Sequence, residues 1–175
     1  AGGGAAGPGP QQDTNRIEFV TIASTGNSTD FGDMTYIARG VAGSSDETRM
    51  LIGGGKPESQ SPNPYMNTID YITIASTGNA TDFGNLLADA RTIAGLSDAT
   101  RGVFGGNEVP TQLNVIQYVT IAQTGNAVDF GDTTRVGHQA TTCSSSTRGL
   151  FAAVYGSPGN SNIIDYITIA TTGNA

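Results

Sequence analysis

Ile22-Ala23-Ser24-Thr25-Gly26-Asn27-Ser28 returns almost unchanged as Ile74–Ala80, again as Ile121–Ala127, and a fourth time from Ile169. The chain is therefore an internal repeat. Ile17, Ile69, Ile116 and Ile164 are equivalent, at separations of 52, 47 and 48 residues (69−17, 116−69, 164−116). Asp30, Asp82 and Asp129 follow the same steps, and so do Arg49, Arg101 and Arg148. A period near fifty residues is long for a solenoid turn and suits a propeller blade of four short antiparallel strands.

Within the second copy, Asn67-Thr68-Ile69-Asp70-Tyr71-Ile72-Thr73-Ile74-Ala75 is rich in β-branched and aromatic residues, which marks a strand. Strand geometry sends Ile69, Tyr71, Thr73 and Ala75 to one face and Asp70, Ile72 and Ile74 to the other. Apolar residues on both faces require cover on both, as in sheets stacked face to face. Ser76-Thr77-Gly78-Asn79 then carries turn chemistry. A second strand is expected from Thr81 to near Ala88, a third over Ala90–Gly95, a turn at Ser97-Asp98-Ala99, and a fourth over Thr100–Gly106. Helix is the competitor from Asn85 to Ile93, where Leu86-Leu87-Ala88-Asp89-Ala90-Arg91 could form a turn or two. The matching segments Asp33–Ala38 and Asp132–Gly137 carry Thr, Tyr and Gly, so strand is the reading that serves every copy.

The 175 residues carry a net charge of −7, with 13% charged residues and 25 glycines. That composition suits strands joined by tight turns and makes poor helices. No basic stripe is available to neutralise phosphates, which argues against nucleic acid. No stretch approaches the roughly twenty apolar residues of a membrane helix. The single cysteine, Cys143, excludes an internal disulfide framework and is expected to be a small buried residue.

Several features resemble Kelch repeats: the small-Arg pairs Ala38-Arg39 and Ala90-Arg91, the apolar strands running into Gly53-Gly54 and Gly105-Gly106, and the Ile-x-Tyr strand that follows. The run Tyr71-Ile72-Thr73-Ile74-Ala75-Ser76-Thr77-Gly78-Asn79-Ala80-Thr81-Asp82-Phe83-Gly84 is similar to repeats in predicted structural proteins of marine bacteriophages. The resemblance covers nearly the whole chain. It implies an all-β fold, a Kelch-like β-propeller segment of about three and a half four-stranded blades, in a virion or its appendage. Kelch units carry a Trp that this chain lacks, and Phe31, Phe83 and Phe130 are expected in a comparable packing role. The third copy departs further, with His138 in place of the Arg and Ala152-Ala153 in place of the glycine pair.

Residues 1–15 read as the end of a preceding repeat and its loop, because Gly2-Gly3-Gly4 stands before Ile17 much as Gly53-Gly54-Gly55 stands before Ile69. Residues 16–66, 67–113 and 114–161 form the first, second and third repeats, and 162–175 begin a fourth. Four copies of the first strand and three of each other predict 13 strands. Propellers close with about four to eight blades, so the expectation is an excerpt from a longer array or a ring completed by a second chain. A small ring closed by this chain alone is the remaining option.

Asp-Phe-Gly at Asp30, Asp82 and Asp129 matches the kinase magnesium motif, but its recurrence without a catalytic loop makes it a repeat signature. Asp30 with Asp33, and Asp129 with Asp132, lie near Asn27 and Asn126 in Gly-rich turns and are Ca²⁺ candidates. Asn85 breaks that set in the second copy, and turn-forming bonds to the backbone are the preferred account. No other cofactor is expected. Arg49, Arg101 and Arg148 are expected to pair bidentately with Asp30, Asp82 or Asp129 and fix one blade edge. His138 has no triad or metal partner in the sequence and reads as a substituted repeat position, so no catalytic residue is assigned.

The loops Lys56–Met66, Asn107–Leu113 and Gly156–Ser161 vary while the strands hardly change, as expected where loops recognise and strands support. Tyr65, Pro64, Asn107 and Glu108 are the expected contact residues. The function expected is a non-enzymatic structural and interaction module of a virion or extracellular appendage, such as a tail fibre. Its expected partners are other virion or surface proteins, additional copies or the remainder of a longer chain, and a host glycan or receptor, with neither nucleic acid nor membrane. The alternative is a propeller glycosidase or lyase acting on host surface polysaccharide, whose site would need copy-specific carboxylates.

Overall fold

The computed structural model of the chain describes residues 5–6, 12–57, 65–108, 111–156 and 159–175; Gly2-Gly3-Gly4 lie outside the described residues. All regular structure in them is strand. In order these are β1 (Ala5–Ala6), β2 (Gln12–Asp13), β3 (Arg16–Phe19), β4 (Thr29–Asp33), β5 (Ala42–Ser45), β6 (Arg49–Gly53), β7 (Met66–Thr73) and β8 (Thr81–Ala90). There follow β9 (Ala94–Ser97), β10 (Arg101–Asn107), β11 (Leu113–Thr120), β12 (Val128–Asp132), β13 (Thr141–Ser144), β14 (Arg148–Ala152), β15 (Tyr155–Gly156), β16 (Gly159–Asn160) and β17 (Ile164–Thr168). Setting aside the two-residue strands β1, β2, β15 and β16 leaves the 13 expected from the repeat.

All pairings are antiparallel. Sheet I is β3-β4, sheet II β5-β6-β7-β8, sheet III β9-β10-β11-β12 and sheet IV β13-β14-β17, with β1-β2 and β15-β16 as short ribbons. The sheets are out of phase with the sequence repeat. Each four-stranded sheet joins the last two strands of one repeat to the first two of the next, so the variable loops are hairpin connections within a sheet. The breaks between sheets fall instead at residues 34–41, 91–93 and 133–140. There Gly40, Thr92 and Gln139, equivalent positions, all adopt left-handed φ of 69°, 54° and 56° and turn the chain out of its strand. This corrects two expected boundaries. β8 runs on to Ala90, whose backbone pairs with Met66, and the following strand begins at Ala94, after the left-handed residue.

Asp-Phe-Gly is a β-bulge. Ile69 pairs with Gly84 and Asp70 with Asp82, leaving Phe83 as the extra residue; Phe31 and Phe130 are skipped in the same way. The following glycine takes φ of 146° to 148° in each copy, and a Cβ on it would collide with the carbonyl of Gly78, Gly125 or Gly173. The bulge turns each Phe inward, to 8%, 2% and 2% exposure, which supports the packing role expected for them. Each meets an aromatic of the neighbouring strand edge-on, with centroids 5.9–6.0 Å apart: Phe19–Phe31, Tyr71–Phe83 and Tyr118–Phe130.

The apolar core is divided into clusters that lie between sheets. Ile17, Phe31 and Met34 of sheet I and the segment after it pack on Ile52 and Ile72 of sheet II. Leu51, Ile69 and Phe83 of sheet II pack on Phe104, Val119 and Ile121 of sheet III and its turn. Val103, Ile116 and Phe130 of sheet III pack on Phe151, Ile167 and Ile169 of sheet IV. Both faces of a middle sheet are thus covered, as the two-faced apolar strands require. Phe104 and Phe151 have little room: a Cβ at Gly53 or Gly105 would press on their rings.

Candidate functional site

The chain end of β6, the start of β7 and the end of β8 lie together, since Gly53 pairs with Ile69 and Met66 with Ala90. The array therefore has two rims. One carries the links between sheets and the described ends of the variable loops. The other carries the hairpin turns at 46–48, 98–100 and 145–147 and the Thr-Gly-Asn turns.

The second rim repeats one chemistry. Asp46 Oδ1 accepts from the amides of Thr48 and Arg49 at 2.7 Å each, and Asp98 Oδ1 does the same for Thr100 and Arg101. Ser145 Oγ replaces the carboxylate for Thr147 and Arg148. Burial pushes the Asp46 carboxyl up, but the hydrogen bonds from Arg49 and Thr48 and the Arg49 charge outweigh it and hold the group below its usual value. Asn79, Asn126 and Asn174 each accept, through Oδ1, from a backbone amide of the preceding sheet, Asp33, Asn85 and Asp132 respectively, at 3.0–3.1 Å. The adjacent glycines 78, 125 and 173 donate to the carbonyls of Phe31, Phe83 and Phe130 at 2.7–2.8 Å. Thr-Gly-Asn is thus a joint between sheets.

The expected Arg–Asp pairs do not form. Arg49, Arg101 and Arg148 instead lie over the rings of Tyr71, Tyr118 and Tyr166 at 4.9, 4.4 and 5.1 Å. Arg49 and Arg101 also donate to the carbonyls of Ile121 and Ile169, in the following sheet's turn, at 3.0 and 2.7 Å. Regular pairing of the arginine strand with the tyrosine strand sets each arginine diagonally across from the ring, as Arg49 pairs with Thr73 and Leu51 with Tyr71, while the aspartates stand one strand further away. Asp30 instead lies 3.7 Å from Arg16, and Asp82 and Asp129 are exposed. Asp33 and Asp132 take part through their backbones, as joint partners. No group of three His, Cys, Asp or Glu side chains among the described residues gathers to hold a metal, the Ca²⁺ candidates Asp30, Asp33, Asp129 and Asp132 included.

The first rim behaves differently. Residues 39 and 56, 91 and 108, and 138 and 155 occupy equivalent places, 17 apart in every copy (56−39, 108−91, 155−138). Their backbones meet alike: Arg39 bridges Lys56, His138 bridges Tyr155, and Glu108 N donates to Arg91 O at 3.3 Å. Their side chains do not. The first pair is doubly cationic, with Lys56 Nζ 5.6 Å from the ring of Tyr65. The second is an ion pair, Arg91 Nε to Glu108 Oε2 at 3.6 Å, with Thr92 Oγ1 also donating to Glu108. The third is aromatic, His138 against Tyr155 edge-on at 5.3 Å. Tyr155, Val136, Ile37 and Leu87 expose apolar surface beside these pairs, at 50%, 44%, 47% and 51%.

The predicted contact residues divide accordingly. Tyr65 sits on this rim, half-buried beneath Lys56; Pro64 lies outside the described residues. Asn107 is a correction. It is buried at 4%, its Oδ1 accepting from Arg91 N and its Nδ2 donating to Asp89 O, so its polar atoms clamp the link between sheets. Glu108 is half-spent on Arg91 and Thr92. Sequence reasoning missed Lys56, Arg91 and Tyr155 as a set. The signal was available in their constant spacing combined with changing identity. Cys143 is also a correction: it is exposed, whereas its equivalents Ser44 and Leu96 are buried at 6% and 4% beneath the next sheet.

Sheet packing also relies on inner strands β5, β9 and β13. Ser97 Oγ donates to Ser45 O at 2.6 Å and Ser144 Oγ to Ser97 O at 2.7 Å, a serine ladder across three sheets. In front of it opens a cavity of about 600 Å³ lined by Phe19, Ile22, Met50, Leu96, Cys143 and Glu18 among others. Among the described residues, Glu18 is the one carboxylate in that lining. No family model matches the chain, and no curated protein matches it.

Proposed function

We propose that the chain is a Kelch-like β-propeller segment of about three and a half blades, serving as a non-enzymatic structural and interaction module of a virion or extracellular appendage. Its first rim is the surface that recognises a glycan, receptor or partner protein. One observation carries the reading: equivalent backbone places on that rim hold a cationic, an ion-paired and an aromatic pair, while the opposite rim keeps one chemistry throughout. Side chains varied on a fixed frame are what recognition asks of a scaffold. Inner strands joined by serines, with each sheet covering the next, support the propeller arrangement. The likeness of the repeat to phage structural proteins supports the setting. Glycoside hydrolysis uses two flanking carboxylates, and the cavity's single Glu18 favours binding over hydrolysis.

A glycan array probed with the full chain tests this. Tyr155→Ala and Lys56→Ala should abolish or sharply reduce binding, while Glu47→Ala, exposed on the opposite rim, should leave it intact. Binding that survives both rim variants sinks the assignment of the surface. Release of reducing ends from a bound polysaccharide would establish the glycosidase or lyase instead.

A further inference from the structure

Within the chain, one kind of sheet-to-sheet contact is built repeatedly from two different halves. The leading sheet supplies an apolar face and an arginine; the following sheet supplies two β-branched residues and a carbonyl. Between sheets II and III the halves are Leu51 and Ile69 with Arg49, and Val119 and Ile121. All four apolar residues are 0–3% exposed, and Arg49 Nη1 donates to Ile121 O at 3.0 Å. Between sheets III and IV, Val103, Ile116 and Arg101 meet Ile167 and Ile169, again 0–3% exposed, with Arg101 Nη1 on Ile169 O at 2.7 Å.

Among the described residues, the outward faces of sheets I and IV each show one of these halves uncovered. Sheet I and its turn present the following half: Val20 is 56% exposed and Ile22 98%, where Ile121 and Ile169 are at 0%. Sheet IV presents the leading half: Ile164 is 66% exposed where Ile69 and Ile116 are at 0%, and Tyr166 is 56% exposed. Arg148, exposed, stacks on Tyr166 and donates no side-chain hydrogen bond among the described residues. Among the described residues, β3 and β17 also each keep one edge without a strand partner in their sheets. Such edges favour association.

We propose that a second copy of this chain docks head to tail on these faces, Val20 and Ile22 of one copy covering Leu150 and Ile164 of the other while Arg148 donates to the carbonyl of Ile22. The internal contacts show what fits each half. Both halves belong to this one chain, and their residue types stand at the register positions that already meet inside it. The contact is heterologous, one surface on a different one, so it can repeat around a ring or along a filament. It uses sheet faces rather than the varied rim, and stands or falls apart from the recognition reading. Sheets I and IV hold two and three strands, so the docked area is smaller than an internal contact, and association is expected only at micromolar concentrations or above.

Sedimentation velocity of the full 175-residue chain from about 1 to about 100 µM tests it. Wild type should sediment faster as concentration rises. Ile22→Asp and Ile164→Asp, both at exposed positions and checked for folding by an unchanged urea midpoint, should each remain monomeric alone. Mixed in equal amounts they should form a 1:1 complex and nothing larger, because one sound head and one sound tail remain. Arg148→Ala should weaken wild-type association about tenfold, the loss of one hydrogen bond to a charged donor. A wild type that stays monomeric throughout, variants that associate as wild type does, or a mixture that remains monomeric would each overturn the proposal.

Discussion

Ile22-Ala23-Ser24-Thr25-Gly26-Asn27 and Ile121-Ala122-Gln123-Thr124-Gly125-Asn126 are nearly one sequence in two surroundings. In the later copy Ile121 is fully buried, Gly125 N donates to Phe83 O at 2.8 Å, and Asn126 accepts from Asn85 N. In the first copy Ile22 is 98% exposed, and every residue from Val20 to Asp30 is exposed. The local turn is common to both; the bulged strand that receives it is not. The motif is therefore half of a joint, and its energetic value depends on the sheet beside it.

Paired substitutions should separate the two surroundings. The largest contrast is expected from Ile121→Ala, which should destabilise by about 2–5 kcal/mol through transfer and cavity terms, against less than about 0.5 kcal/mol for Ile22→Ala. Urea denaturation of the two variants measures it, and equal losses would mean that the buried joint is not formed. Gly84→Ala should cost at least about 2 kcal/mol, because its left-handed φ excludes a side chain and the new Cβ would meet the Gly125 carbonyl. Gly26→Ala, with open space around it, should be near neutral. Asn126→Ala removes the acceptor for Asn85 N and should lower stability by about 1 kcal/mol, while Asn27→Ala should leave the midpoint unchanged.

A stabilising change sharpens the same contrast. Ala153 holds φ of 56° at the place where Gly54 and Gly106 have 72°. Ala153→Gly should raise stability by up to about 1 kcal/mol by relieving a left-handed alanine, read as a higher urea midpoint.

The smallest effects concern pH. The lowered carboxyl of Asp46 makes a contribution that is full above its unfolded value and is lost as pH falls through the folded one. Asp70 has the opposite sign. Burial pushes its carboxyl up, the bonds from Thr35 oppose this, and the Asp82 charge adds to it. Its contribution is therefore greatest below the unfolded value and is lost as pH rises through the folded one. Between about pH 7 and about pH 3, the gap between wild type and Asp46→Asn should narrow with acid, whereas Asp70→Asn should gain on wild type as pH rises. Parallel pH curves for all three proteins would refute both assignments.

The two rims show how much of the site could be read in advance. That loops vary and strands do not was visible by aligning the copies. Which loop residues face outward was not: Asn107 looked like a contact residue and is a buried clamp, while Tyr155 stood unremarked and is half exposed. Asparagine suits a turn surface and a buried backbone clamp equally well, and only the position of the neighbouring chain separates the uses. The arginines failed for a related reason. Charge suggested carboxylate partners, but the arginine strand pairs directly with the tyrosine strand, which puts the ring beneath the guanidinium and leaves the aspartate one strand away.

By itself the sequence determined the period, the strand count, the all-β character and the need for cover on both faces of each strand. These follow from local alternation and turn chemistry, which act over a few residues. The tertiary structure alone decided where one sheet stops and the next begins, what each arginine touches, and which copies of a shared motif are buried. Those depend on residues about fifty positions away brought within hydrogen-bond reach, a proximity that a repeat can suggest but that only packing supplies.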